Sequence, residues 1–238
     1  MIWWMIATIC AFFVKGLCGF ANTLVFSTIL SFGNNNVSIS PVELILGYPT
    51  NIILAWKERK SIKWNICLPL AFLVIAGSIP GTLFLKNADT NIIKLFFGIV
   101  IIFIGLEMLL REVQSKTIKQ SKVVLCLIGI LSGLLCGLYG IGALLGAYMN
   151  RVTENSSSFK ANICVVFCAE NTFRLILYGL WGIISLEILK QAIILIPLML
   201  IGLILGMISG KVLNEKVVKR LVIIMLIVSG MALILNNL

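Results

Sequence analysis

Apolar residues fall into eight runs along the chain, at about 2–32, 41–56, 64–85, 92–110, 123–149, 161–181, 186–210 and 217–235. Short polar stretches separate them, the longest being the basic segment 111–122. A helix needs roughly 20 apolar residues to cross the hydrocarbon of a bilayer, and most of the runs reach that length. The pattern predicts an all-α, polytopic membrane protein of eight apolar segments. The second run is short and borrows Trp56 and the start of the next connection. The first and fifth are long, and glycine clusters break both near their middles.

Composition agrees with a lipid solvent. Hydrophobic residues make up 60% of the chain and charged residues 12%, with a mean hydropathy of +1.11. Soluble domains carry about twice that share of charge, so too little polar surface remains to clothe one. The net charge is +10. The basic residues lie between the apolar runs rather than on one face, which reads as topogenic and argues against nucleic acid as a partner. The opening Met-Ile-Trp-Trp-Met lacks the basic flank and cleavage site of a removable signal. Trp3 and Trp4 suit interfacial anchors. All seven cysteines lie inside apolar runs without a CxxC spacing, so they read as buried small hydrophobes rather than disulfides or zinc ligands.

The two halves of the chain resemble each other. Displaced by 121 residues, Gly16-Leu17-Cys18-Gly19 falls on Gly137-Leu138-Tyr139-Gly140, and displaced by 120, Asn51 falls on Asn171. A displacement of 125 carries Gly77, Gly81, Lys86, Lys94 and Gly105 onto Gly202, Gly206, Lys211, Lys219 and Gly230. The order is preserved and the displacements differ little, as loop insertions would produce. Residues 1–115 and 116–238 therefore read as two membrane repeats within one integral membrane domain.

Charge orients them. If all eight runs crossed once, nine basic residues would face one side and eight the other, which is no bias. If the first and fifth runs are hairpins that enter and leave on one side, fourteen face the cytoplasm and only Lys86, Lys94 and Lys190 face outward. Cytoplasmic connections carry the excess of Lys and Arg. The hairpin arrangement makes the repeats inverted copies, each a glycine-broken hairpin plus three transmembrane helices, a plan common among secondary transporters. Each tip would lie roughly 15–20 Å deep, near the midplane. Irregular backbone at that depth is tolerated only inside protein or beside a wet cavity, so the two tips are expected to meet in the interior.

Several chemistries are excluded. The chain has no histidine, which removes His-dependent intramembrane proteolysis. Gly206-Met-Ile-Ser-Gly-Lys211 has the wrong spacing for a phosphate-binding P-loop, so an ATP-driven pump working alone is excluded. No enzyme constellation and no cofactor are expected. The best site candidates are the two tips, Lys15-Gly16-Leu17-Cys18-Gly19-Phe20-Ala21-Asn22 and Cys136-Gly137-Leu138-Tyr139-Gly140-Ile141-Gly142. A half-helix restarting after such a break directs its positive end at the break, Lys15 adds a formal charge, and Gly lets a ligand approach backbone. The same glycines would also serve simply to turn the chain. Arg174 lies deep in the sixth run, four residues after Glu170, so the two share a helix face. They either neutralise each other or serve an anion, with Arg174 holding it and Glu170 as the proton-coupling group. Asn51 and Asn171 either orient a substrate or hydrogen-bond helices together. Gly129, Gly133, Gly202, Gly206 and Gly210 read as helix-packing residues in GxxxG spacing. Glu43 and Glu107 lie near run ends and read as solvated.

The motifs together resemble the TauE/SafE family of sulfite exporters. The resemblance rests on Gly16-Leu-Cys-Gly-Phe, its counterpart Gly133-Leu-Leu-Cys-Gly-Leu-Tyr-Gly-Ile-Gly142, the basic Lys57-Glu-Arg-Lys60, Ile79-Pro-Gly-Thr82, and a closing helix with Lys94 and Gly105. It covers essentially the whole chain. It implies a plasma-membrane permease for small sulfur-containing anions such as sulfite or organosulfonates. Passive anion channels and non-transport membrane scaffolds are the alternatives, and a homodimer is left open.

Overall fold

The computed structural model describes residues 1–31, 39–87, 122–140, 142–153 and 155–212, with scattered positions between 95 and 109 and between 217 and 235. Among the described residues every regular element is a helix. They are α1 (Ile2–Cys18), α2 (Asn22–Ser31), α3 (Ile39–Lys57), a 3-10 turn (Arg59–Ser61), α4 (Trp64–Asn87), α5 (Lys122–Tyr139), α6 (Ala143–Val152), α7 (Ser156–Leu180) and α8 (Leu186–Val212). Three of them, through Trp64–Leu83, Ser156–Leu180 and Leu186–Gly210, are long and apolar enough to cross a membrane, and Ile2–Cys18 and Leu125–Gly137 are shorter apolar helices. Lys94, Gly105, Glu107 and Lys219 lie outside the described residues.

Both glycine clusters end a helix in the same way. α1 stops at Gly19, whose φ is +87° and whose N–H donates to the Lys15 carbonyl at 2.6 Å. α5 stops before Gly140, whose φ is +70° and whose N–H donates to the Cys136 carbonyl at 2.7 Å. A left-handed residue after the last turn is the usual way to satisfy a terminal carbonyl, and glycine adopts it without strain. After the first break the chain doubles back. The Trp4 and Phe26 rings meet edge to face at 5.7 Å, whereas 22 residues of continuous helix would separate them by about 33 Å.

Glycines also set the helix crossings. A Cβ on Gly206 would lie 2.1 Å from the Phe13 carbonyl oxygen and 3.0 Å from Gly16 Cα, which seats α8 backbone directly on α1. A Cβ on Gly81 would lie 2.4 Å from the Leu134 carbonyl oxygen and 3.2 Å from Gly137 Cα, the corresponding close approach of α4 and α5. Gly77, Gly133 and Gly202 are similarly confined, and Gly98 and Gly230 lie against each other in the fourth and eighth runs. Without a hydrophobic drive between helices in lipid, such backbone proximity is what holds them.

One end of the bundle gathers connections distant in sequence. The Lys63 N–H donates to Asn162 Oδ1 at 2.6 Å, Asn162 Nδ2 donates to the Ser61 carbonyl at 3.2 Å, and Lys57 Nζ reaches Met207 Sδ at 3.4 Å. The end of α3, the start of α7 and the last turns of α8 thus lie together. At the other end Ser40 Oγ and Tyr178 Oη are 3.2 Å apart. Large apolar side chains such as Phe72, Leu127, Leu180 and Ile193 face outward, while Lys15, Glu43, Glu170 and Arg174 are buried. Lipid outside and charge inside is the arrangement a bilayer solvent selects.

Candidate functional site

The two tips meet. A Cβ on Gly146, in the first turn of α6, would lie 2.7 Å from the Phe20 ring, and one on Gly140 would lie 3.2 Å from Thr23 Cγ2. Between them is a small cavity, with about 20 Å³ of room for the centres of water-sized molecules, lined by Lys15, Phe20, Ala21, Asn22, Thr23, Leu24, Glu43, Asn51, Gly140, Gly142, Phe167 and Asn171. α2 starts at Asn22 and α6 follows Gly142, so two helix N-termini, with their positive dipole ends, adjoin it. Ala21 is held at φ +70° on its wall, a non-glycine residue in the left-handed region.

Each wall has a local origin. Lys15 is in the last turn of α1, and its Nζ donates to the Gly47 carbonyl at 3.2 Å. Glu43, Gly47 and Asn51 follow one another at single-turn spacing on α3. Asn51 is 1% exposed, and its Oδ1 is buried without a hydrogen-bond partner. Buried polar atoms are nearly always paired, and among the described residues Ser132 Oγ, Tyr148 Oη, Glu170 Oε1 and Arg174 Nε share this unpaired state with Asn51 Oδ1. Asn171, on α7, lines the same space. The two asparagines that the repeat makes equivalent are thus brought to one cavity.

Arg174 stands behind Gly140. Its Nη1 donates to the Cys136 carbonyl at 2.5 Å and lies 3.6 Å from Glu170 Oε1, and its Nη2 lies 3.9 Å from Glu43 Oε2. The guanidinium also faces the Tyr178 ring at 5.6 Å. It therefore ties the end of α5 to two carboxylates. Glu170 does not line the cavity, and its Oε1 makes no hydrogen bond.

Lys15, Asn22, Asn51, Gly140, Gly142 and Asn171 were expected at a site and line this cavity. Others lie elsewhere. Gly16 packs on Leu203 and Gly206, and Gly137 packs on the Ser78 backbone, both in helix crossings. Gly19 packs against Lys160. Cys18 is buried, its Sγ donating to the carbonyls of Val14 at 2.9 Å and Phe20 at 3.4 Å. The Tyr139 side chain lies outside the described residues. Glu43 requires a correction: expected to be solvated at a run end, it is 4% exposed and on the cavity wall, because α2 folds back over the first turns of α3 and Asn22 Nδ2 donates to its carboxylate. The signal available in the sequence was its spacing, eight residues before Asn51 and so on the same helix face.

Residues 4–233 match the model of the family described as sulfite exporter TauE/SafE. The chain belongs to the TauE/SafE family. That family is one of membrane transporters, in keeping with the buried charges and apolar exterior of this fold. Neither a curated protein nor a solved structure gives a match to the chain.

Proposed function

We propose that the chain is a multi-pass secondary transporter that moves small sulfur-containing anions, sulfite or organosulfonates, across the plasma membrane in an ion-coupled cycle. The observation that carries this reading is the cavity between the two helix breaks. There Lys15 and two helix N-termini supply positive potential, and Asn51 presents a buried amide oxygen without a partner. Lys15, Asn22, Asn51, Asn171 and the backbone at Gly140 and Gly142 would hold the anion, with Arg174 supporting it from behind.

The chain is further proposed to consist of two inverted repeats, 1–115 and 116–238, with both termini outside. Three observations support this. The left-handed caps at Gly19 and Gly140 are equivalent. The Gly16–Gly206 and Gly137–Gly81 approaches are equivalent under the same displacements. The connection 57–63 lies beside the start of α7 and the end of α8, which a chain of eight single crossings would place on the opposite side.

The test is a melting-temperature screen of purified protein against sulfite, thiosulfate, methanesulfonate and carboxylates, followed by flux into proteoliposomes. A ligand that binds only the folded state stabilises it by about 2.7 kcal/mol at a hundredfold excess over Kd. The melting temperature is expected to rise with the sulfur oxyanions, and flux to saturate and respond to an ion gradient. Non-saturating, uncoupled flux would identify a passive channel. No stabilisation and no flux with any of these anions rejects the transport reading.

A further inference from the structure

A carboxylate on the wall of an anion cavity repels the anion unless it is displaced or neutralised. Glu43 is such a carboxylate. It accepts from Asn22 Nδ2 at the start of α2 and lies 3.9 Å from Arg174 Nη2. The start of a helix and the flank of a guanidinium are the two positions an incoming anion would seek. Gly47, one turn along α3, keeps the place narrow: a Cβ there would lie 3.0 Å from Glu43 Oε1 and 3.3 Å from Asn22 Nδ2.

The groups that face Glu43 are Lys15 from α1, Asn22 and Thr23 from α2, Cys136 from α5, and Glu170 and Arg174 from α7. Two cations and two carboxylates make the buried cluster neutral without substrate. Adding an anion leaves an uncompensated negative charge in a poorly solvated site, which is strongly unfavourable. A proton taken up by one carboxylate restores neutrality. Glu170 is set back against Arg174, off the cavity wall, so Glu43 is the carboxylate that the anion meets.

We propose that Glu43 is an internal counter-anion. Ionised, it occupies the anion position and ties the first hairpin to α7. When it takes a proton from water, becoming a neutral carboxylic acid, the substrate anion replaces it, so that one proton and one anion are bound together. The inference rests on the transport reading above and deepens it by naming the coupling ion and its acceptor.

The test uses full-length purified protein and methanesulfonate, or thiosulfate should methanesulfonate not bind, since neither changes charge between mildly alkaline and mildly acidic pH. Wild-type affinity is expected to rise about fivefold or more on acidification, within the usual range of linked binding. Glu43→Gln keeps an acceptor for Asn22 but cannot ionise. It is expected to bind with the tight, acidic affinity at every pH and to lose the dependence of flux on a pH gradient, while Glu170→Gln keeps the wild-type pH slope. A flat wild-type pH profile, or a wild-type slope retained in Glu43→Gln, overturns the proposal and leaves the transport reading standing. Failure of wild type to bind any sulfur oxyanion removes that reading and this inference with it. Should Glu43→Gln not fold, the wild-type slope together with proton uptake during methanesulfonate or thiosulfate entry decides. Anion entry without proton movement refutes it.

Discussion

Arg174 holds three partners at once: the Cys136 carbonyl, Glu170 and Glu43. Its removal leaves the buried cluster with two carboxylates and only Lys15 to balance them, and breaking a buried pair costs about 3–5 kcal/mol. Arg174→Gln is therefore expected to lower the melting temperature and yield as well as transport, and Glu170→Gln added to it should recover part of the stability. An unchanged melting temperature in Arg174→Gln would show that the guanidinium does not hold the cluster. Gly140 gives a cleaner probe of the cavity. At φ +70° an alanine is strained by roughly 1–2 kcal/mol, and its Cβ would lie 3.0 Å from both Arg174 Nη atoms. Gly140→Ala is expected to weaken methanesulfonate binding about tenfold, equivalent to ~1.4 kcal/mol, in protein that stays monodisperse. Full affinity in that variant moves the site away from the tips. The types of these residues were legible as unusual in an apolar run. The burial of Glu43 was not, because a position one turn inside α3 becomes interior only when α2 folds over it.

Helices here are held by what they lack. At Gly206, Gly202, Gly81 and Gly77 a side chain would collide with the backbone of a crossing helix rather than with a side chain that could turn away. Gly206→Ala should push α8 off α1 and cost about 1–3 kcal/mol, seen as reduced yield and a lower melting temperature with anion affinity little changed in whatever folds. Gly179, with nothing within 4 Å of its would-be Cβ, is the control, and Gly179→Ala should be neutral or slightly stabilising. A Gly206→Ala protein as stable as wild type would remove the crossing from the account. Among the described residues element positions follow the hydropathy pattern closely, and both breaks fall at the glycine clusters. The sequence did not separate glycines that turn the chain from those that seat a neighbour. Gly16 and Gly19 are three residues apart, yet the first lies inside α1 on the face that meets α8, and the second lies past the end of α1 and caps it in the left-handed conformation.

Over the whole molecule, the basic connection 57–63 marks one face together with the start of α7 and the end of α8. With hairpins at both breaks that face is cytoplasmic. Ser157→Cys on a Cys-free background is then expected to resist an impermeant thiol reagent in intact cells and to react once the cells are permeabilised. Labelling in intact cells would sink the hairpin arrangement and with it the inverted repeat. The sequence by itself determined the solvent, the helical class, the family and the places where helices break. All of these follow from local chemistry: apolar length against bilayer thickness, glycine against helix propensity, motif order along the chain. Only the tertiary structure decided which buried groups share a cavity. Lys15, the face of α3 that carries Glu43 and Asn51, and Asn171 come from three helices far apart in the chain, and no local rule relates the three. Their meeting depends on how α2 doubles back on α1 and on the rotation of α3 and α7 about their own axes, both of which are fixed by packing across the whole bundle.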